Sequence, residues 1–120
     1  MIKMDKINFG LDIVDIKRIK NLVDQYGNRF LFRIFSINEI EEAKKRGHYF
    51  SSLAGKFAAK EAFIKAFPFS KDQVILFSDI EILSDSFGKP WCYYKRVKII
   101  HSNLSISHEK NYAIAGLIVF

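Results

Sequence analysis

One segment, from Leu53 to Ala66, constrains the fold of this 120-residue chain more than any other. Its sequence, LAGKFAAKEAFIKA, is rich in good helix formers and lacks proline, which predicts a helix. Every fourth residue from Leu53 lies on one row of that helix, and the row passes Phe57, Glu61 and Lys65. Small alanines beside the row allow another backbone to approach. A carboxylate at the end of an apolar stripe needs a cation, which could be Lys65, another lysine or a metal ion.

A second carboxylate has a similar context near the N-terminus. The segment from Ile7 to Val14 alternates with a period of two and contains β-branched and aromatic residues, which predicts a strand. Asp12 then shares one face with Gly10 and Val14, and the glycine leaves room beside the carboxylate. Considered alone, Asp12 could cap or pair locally, and Glu61 could form an ordinary ion pair with Lys65.

The remaining periodicity predicts an α+β fold, with helices packed on a mainly antiparallel sheet. No repeat, low-complexity tract or linker divides the chain, so a single domain is expected over residues 1–120. The expected elements in chain order are a strand at 6–14, a helix at 15–26, a buried apolar connection at 30–35, a helix at 36–46 that starts with a capping box, a helix at 50–66, and strands at 79–83, 91–100, 104–107 and 112–120.

Composition limits the location and assembly of the chain. Twelve phenylalanines and 49% hydrophobic residues exceed what a domain of this size easily buries, so an oligomer is expected. No apolar stretch is long enough to span a membrane, and the segment Met1–Lys6 lacks the apolar core of a secretion signal. Cys92 has no partner for an internal disulfide, which fits a reducing cytoplasm.

The net charge of +6 is compatible with nucleic acid, a membrane surface or an acidic protein as partner. A basic nucleic-acid-binding module is one alternative, although the basic residues are dispersed and no zinc-finger, helix-turn-helix or RNP-type motif is present. A nucleotide hydrolase is less favoured, because no glycine-rich phosphate loop precedes a helix.

Several blocks together resemble the holo-[acyl-carrier-protein] synthase family of 4'-phosphopantetheinyl transferases. The resemblance rests on GLDIV at 10–14 followed by Arg18, on the helix LAGKFAAKEA with Lys65, on DIEI at 79–82, on GKP at 88–90 and on SISH at 105–108 followed by Tyr112. These blocks occur in the family's order and span nearly the whole chain. The resemblance implies Mg²⁺-dependent transfer of 4'-phosphopantetheine from coenzyme A to a serine of apo-acyl carrier protein, which releases adenosine 3',5'-bisphosphate and supports fatty acid biosynthesis.

The resemblance also implies roles for individual residues. Asp12 and Glu61 match the positions that hold the magnesium ion, and Lys65 matches a catalytic lysine near the reacting phosphate. The residues expected to bind coenzyme A are Lys56, Lys65, Gly88, Lys89, Pro90, Ser107 and His108. Lys56 stands where the family usually has arginine. Arg18 and Arg29 are expected to contact acidic groups of the carrier protein.

A chain of this length carries one copy of each motif, whereas longer members of the family contain two related halves with the site between them. The resemblance therefore implies a homotrimer with active sites between subunits. No nucleic-acid or membrane partner is expected. A non-catalytic relative that only binds coenzyme A is the remaining alternative.

Overall fold

The computed structural model describes residues 6–120, in which helices pack on antiparallel strands. The elements in chain order are β1 (Asn8–Asp15), α1 (Ile16–Tyr26), α2 (Asn28–Ile34), α3 (Ile37–Lys45), α4 (Tyr49–Ala66), β2 (Ile80–Ser84), β3 (Pro90–Tyr94), β4 (Val97–Lys98), β5 (Ser102–His108) and β6 (Tyr112–Val119). The predicted α+β class is confirmed. The single sheet expected from the sequence is instead two three-stranded sheets, ordered β1-β6-β5 and β2-β3-β4. In the described part of the chain, no helix has the length and apolar character needed to cross a membrane.

Helix α4 is the centre of the molecule. Its alanines at 54, 58, 59 and 62 are fully buried, as are Leu53 and Phe63. A Cβ atom at Gly10 would lie 2.0 Å from the carbonyl oxygen of Ala62, so the backbones of β1 and α4 touch at this glycine. The sequence predicts that another backbone approaches the small residues of α4, and in the structure that backbone is β1.

The two faces of β1 alternate as the sequence predicts. Gly10 and Val14 are buried against the helix layer, and Asp12 lies between them in the strand. The opposite face, with Phe9, Leu11 and Ile13, is exposed in the single chain. The more apolar face of this strand thus points away from the core and continues onto β6 through Ile114 and Ile118, which are also exposed.

Two predicted elements are wrong. The connection expected at residues 30–35 is largely helix α2, whose buried residues Leu31 and Ile34 are three apart, which is helical spacing. The long strand expected at residues 91–100 is a hairpin instead. Its turn contains Lys95 and Arg96, with φ angles of 47° and 69°, and the absence of glycine conceals this turn in the sequence.

The local signals for helix ends are confirmed. Asp15 caps α1 by accepting a hydrogen bond from the Lys17 amide. Ser36 and Glu39 form the predicted capping box of α3. Helix α4 ends at Ala66, two residues before Pro68. The expectation of a single domain over residues 1–120 stays a prediction.

Candidate active site

Strand β1 and helix α4 bring Asp12 and Lys65 together. The Lys65 ammonium donates to Asp12 Oδ1 at 3.2 Å and to the carbonyl oxygen of Leu11 at 2.9 Å. The Asp12 side chain is 19% exposed, whereas the Lys65 side chain is 52% exposed. The lysine therefore fixes the carboxylate and still has one donor for a further acceptor.

Glu61 lies in the same cluster, one turn before Lys65. Burial raises the pKa of the Glu61 carboxyl above its ordinary value, and the nearby Asp12 carboxylate raises it further. The charges of Lys65 and Arg18 act in the opposite direction without cancelling the rise in the pKa. Among residues 6–120 no ion pair to Glu61 is found, so the ordinary Glu61–Lys65 pair is replaced by the Asp12–Lys65 pair. The cluster therefore contains a carboxylate that lacks a directly bound cation.

The donor set of this cluster fits a magnesium ion. Two carboxylates on rigid elements are available, and within residues 6–120 no group of three or more His, Cys, Asp or Glu side chains is placed to enclose a metal. Magnesium is usually held by one or two carboxylates and completes its coordination with water and substrate phosphates. Asp12 and Glu61 are the residues that would hold it.

A separate cavity of about 170 Å³ lies near the N-terminal end of α4. It is lined by Arg46, His48, Ser51, Ser52, Gly55, Lys56, Ile82, Ser84, Gly88, Pro90, Ile106 and His108. The rings of His48 and His108 are 5.1 Å apart. Basic and hydroxyl groups converge here, and the lining contains no carboxylate, which suits an anionic ligand such as a phosphate group.

A short turn after β2 forms one wall of this cavity. Asp85 Oδ1 accepts hydrogen bonds from the amides of Phe87 and Lys89, and its Oδ2 accepts one from Trp91 Nε1 at 3.1 Å. Gly88 has a φ angle of +85°, which explains the glycine at this position. The turn is thus held by its own side chains before any ligand binds.

The cavity gathers only some of the residues predicted to bind coenzyme A. Lys56, Gly88, Pro90 and His108 line it. Lys89 does not line it, because its ammonium lies 3.3 Å from Asn103 Oδ1 and over the Trp91 ring.

Ser107 and His108 leave β5 on opposite faces of the first sheet. Ser107 pairs in register with exposed Ile114, whereas His108 pairs with buried Ala113. Successive residues of a strand face opposite sides of the sheet, so Ser107 lies on the outer face. His108, at the end of β5, lines the cavity described above and also a shallow depression that contains Ser107. The other residues that line this depression are Ile13, Glu109, Tyr112 and Ile114.

The two clusters are also distinct from each other in one protomer. Asp12, Glu61 and Lys65 do not line the cavity that contains Gly88 and His108. Register nevertheless places Asp12, Ala115 and Ile106 in one row across the first sheet, and Ile106 lines the cavity. The carboxylate cluster and the cavity therefore lie along the same face of this sheet, against α4.

Sequence reasoning missed several residues of the cavity. Arg46 and His48 occupy the connection between α3 and α4, and no motif surrounds them in the sequence. Glu42, which does not line the cavity, was also missed, although it forms an ion pair with Lys56, which does. The helical spacing of Glu42 and Arg46, four residues apart, is a weak signal that both belong to one helix face.

The predicted carrier-protein residues lie on the outside of α1 and α2. Arg18 is exposed and its charge acts on Glu61. Arg29 is exposed in a shallow groove of about 340 Å³ together with Leu22, Tyr26, Phe30 and Arg33. The groove thus combines two arginines with apolar side chains, and Arg18 is the predicted carrier-protein residue whose charge acts on the carboxylate cluster.

Comparison with known proteins identifies the family of this chain. Residues 8–116 match the family model described as the 4'-phosphopantetheinyl transferase superfamily. The chain is 40% identical over 119 residues to a holo-[acyl-carrier-protein] synthase of Halothermothrix orenii, with 91% of this chain and 93% of that protein covered. It is 42% identical over 118 residues to a synthase of the same name from Ehrlichia canis, with 95% and 94% covered.

A solved structure has the same fold. The crystal structure of Helicobacter pylori holo-[acyl-carrier-protein] synthase in complex with coenzyme A superposes with a TM-score of 0.79. It is 34% identical, and the match covers 93% of this chain and 99% of that one. The chain therefore belongs to the 4'-phosphopantetheinyl transferase superfamily. Its relatives are holo-[acyl-carrier-protein] synthases, and the prediction of a phosphopantetheinyl transferase is confirmed.

Proposed function

We propose that this enzyme transfers 4'-phosphopantetheine from coenzyme A to a serine of apo-acyl carrier protein, with Mg²⁺, and releases adenosine 3',5'-bisphosphate. The observation that carries the proposal is the cluster of Asp12, Glu61 and Lys65, in which two carboxylates and an ammonium meet at the contact of β1 and α4. The product, holo-acyl carrier protein, would serve fatty acid biosynthesis.

The reaction is attack by a hydroxyl group on the pyrophosphate of coenzyme A. Such a reaction needs positioning of the two reactants and neutralisation of charge on the phosphate oxygens. Asp12 and Glu61 would hold the magnesium ion, which supplies that neutralisation when bound. Lys65 is half exposed, and its ammonium can donate to a phosphate oxygen beside the two carboxylates.

The nucleotide end of coenzyme A is assigned to the cavity at the start of α4. Arg46, His48 and His108 offer donors to its phosphates, and the Gly88–Pro90 wall borders them. The cavity volume of about 170 Å³ suits one end of this large molecule, so the remainder would extend along the surface.

The carrier protein is assigned to the exposed surface of α1 and α2. Acyl carrier proteins are acidic, and Arg18 and Arg29 present cations on that surface. Phe30, beside Arg29, adds a partly exposed apolar contact. Arg18 also lies close enough to act on Glu61, so a carrier bound there would present its serine near the carboxylate cluster.

A homotrimer with active sites between subunits is part of the proposal. The outer face of the first sheet carries Phe9, Leu11, Ile13, Ile114 and Ile118, each at least 39% exposed in the single chain. Ser107 lies on the same face. Covering this face with another subunit would bury the apolar residues and would give Ser107 a place in a shared site. We also expect the enzyme in the cytoplasm, where the thiol of Cys92 stays reduced.

Intact-mass spectrometry of an apo-acyl carrier protein, incubated with the enzyme, coenzyme A and Mg²⁺, tests the reaction. The carrier should gain one phosphopantetheine, and EDTA should prevent the gain. Asp12→Asn and Glu61→Gln should each lower the rate by about 100-fold, because each removes a carboxylate from the proposed metal site. Glu41→Gln is the matched control, since Glu41 is an exposed carboxylate on α3 that pairs with Lys44, and it should act at the wild-type rate.

Full activity of both site variants would contradict the metal assignment. Failure to modify any carrier while coenzyme A still binds would indicate the non-catalytic relative. The comparisons favour the transferase over a nucleic-acid-binding module.

A further inference from the structure

Lys56 lines the cavity, yet its ammonium already has partners. The residue is 5% exposed, and Nζ forms an ion pair with Glu42 and donates to the carbonyl oxygen of Ile82 at 2.7 Å. Two of the three ammonium donors are therefore used within the protein. The Lys56 side chain is 6% exposed and its charge is balanced by Glu42, so it offers little attraction to a phosphate, whereas the Lys65 side chain is 52% exposed and can reach one.

Glu42 connects this pair to the wall of the cavity. Its Oε1 accepts a hydrogen bond from the Ser84 amide at 2.9 Å. Ser84 Oγ is bonded in turn to Arg46 Nη2 at 2.6 Å. Since Ser84 directly precedes the turn held by Asp85, the Lys56–Glu42 pair ties α4 and α3 to the strand end from which the Gly88–Pro90 wall starts.

The carboxylate stays ionised in this setting. Partial burial alone would raise the pKa of Glu42, but the hydrogen bonds from Lys56 and the Ser84 amide, with the charges of Lys56 and Arg46, hold it below its ordinary value. An ionised Glu42 without Lys56 would place an uncompensated negative charge beside a site for anions.

We infer that Lys56 and Glu42 are positioning residues, whose pair braces the end of β2 against α4 and leaves the binding of coenzyme A phosphates to Arg46, His48 and His108. This inference rests on the proposed function, and it differs from the role as phosphate ligand that the resemblance implies for Lys56. Replacing both partners by neutral side chains should preserve the cavity, whereas replacing the lysine alone should not.

Isothermal titration of coenzyme A into the wild type, Lys56→Met and the double variant Lys56→Met/Glu42→Gln separates the two roles. Lys56→Met should weaken binding by about tenfold or more, since Glu42 is left charged and unpaired. The double variant should bind within about threefold of the wild type, because Glu42→Gln keeps a side-chain oxygen for the Ser84 amide and removes the charge. Steady-state kinetics should show a raised KM for coenzyme A in Lys56→Met and an unchanged KM for the carrier, which a general loss of folded protein would not produce.

The exposed pair Glu41–Lys44 on α3 provides a matched control. Lys44→Met and Lys44→Met/Glu41→Gln should both bind coenzyme A within about twofold of the wild type. If Lys56→Met does not fold, the coenzyme A affinity of the double variant, compared with that of the wild type, still distinguishes a positioning role of Lys56 from a role as phosphate ligand.

Three results would overturn the inference. A double variant that is folded by circular dichroism but binds as weakly as Lys56→Met would make Lys56 a phosphate ligand. Wild-type affinity in Lys56→Met would mean that the pair does not brace the cavity. If the wild type itself does not bind coenzyme A, both the proposed coenzyme A site and the positioning role of the pair are wrong. Failure of the positioning role alone leaves binding by the wild type intact, so the two failures are distinguishable.

Discussion

Two lysines of α4 show how far burial decides the role of a side chain. Lys60 is completely buried, and its ammonium donates to Glu39 Oε1 at 2.8 Å and to the carbonyl oxygen of Phe77 at 3.1 Å. Glu39 is equally buried, and its Oε2 accepts a hydrogen bond from the amide of Ile82. Lys65, five residues later, is half exposed and lies in the carboxylate cluster. Position on the helix thus separates a structural lysine from a candidate catalytic one.

The first prediction concerns Lys60. Lys60→Met should lower the free energy of unfolding by about 3–5 kcal/mol, because it leaves the buried Glu39 carboxylate without a cation. Urea denaturation followed by circular dichroism measures the change. Lys44→Met, at an exposed position of α3, should change the same quantity by less than about 0.5 kcal/mol. If Lys60→Met lowers the free energy of unfolding by less than about 1 kcal/mol, Glu39 has either formed another ion pair or become protonated.

The second prediction concerns Cys92. Burial raises the pKa of its thiol to about 12, and the charge of Glu39 contributes to the rise. The folded protein therefore keeps the thiol proton to higher pH than the unfolded chain, so the resulting stabilisation is present below about pH 9 and is lost as the pH rises towards 12. A thiol-specific reagent at pH 8 should leave the native protein unlabelled and should label it rapidly in urea. Rapid labelling of the native protein would contradict this burial.

At the scale of elements, the contact between β1 and α4 sets the position of the carboxylates. Gly10 lies two residues before Asp12 on the same face of β1, and Ala62 directly follows Glu61 in α4. The backbones meet at these two residues. The separation of the two carboxylates therefore depends on how closely the strand and the helix approach.

The third prediction tests this contact. Gly10→Ala would place a methyl group 2.0 Å from the Ala62 carbonyl oxygen, which neither backbone can accommodate without moving. We expect a loss of about 3 kcal/mol or more in unfolding free energy, together with lost transfer activity, measured by thermal denaturation and by the mass assay. Asn8→Ala, at an exposed position two residues earlier on β1, should cost no more than about 1 kcal/mol. Equal stability of the two variants would rule out the close backbone contact.

The sequence predicts the ends of those helices that are determined by residues close together in the chain. The capping box of Ser36 and Glu39 and the stop before Pro68 both act within a few residues, and both are found where expected. The candidate site residues are predicted from the blocks that resemble the family, and their roles stay predictions. The pairing of Glu42 with Lys56, and the outward direction of Ser107, depend on how distant segments pack and are not encoded in any short pattern.

At the scale of the whole molecule, the exposed apolar face of the first sheet predicts the assembly. Ile114→Lys should convert the proposed trimer to monomers and reduce the transfer rate, because a buried ammonium cannot be accommodated in an apolar interface. Analytical ultracentrifugation measures the change in mass. Val74→Lys is the control, since Val74 is 80% exposed and lies outside both sheets, and it should leave the sedimentation unchanged. A wild-type monomer with full activity would contradict the shared site.

The contact at Gly10 has a consequence for how this protein can change over time. Gly10 has no side chain to hold a metal ion or a substrate, yet the distance between the two proposed metal ligands depends on it. A substitution of Gly10 would lower both the stability of the fold and the activity of the site. Because the clash is with main-chain atoms, no change in a neighbouring side chain could relieve it. In a scan of all single substitutions, the loss of activity at Gly10 should therefore be as large as the loss at Asp12 and Glu61, although Gly10 has no side chain that could bind a ligand.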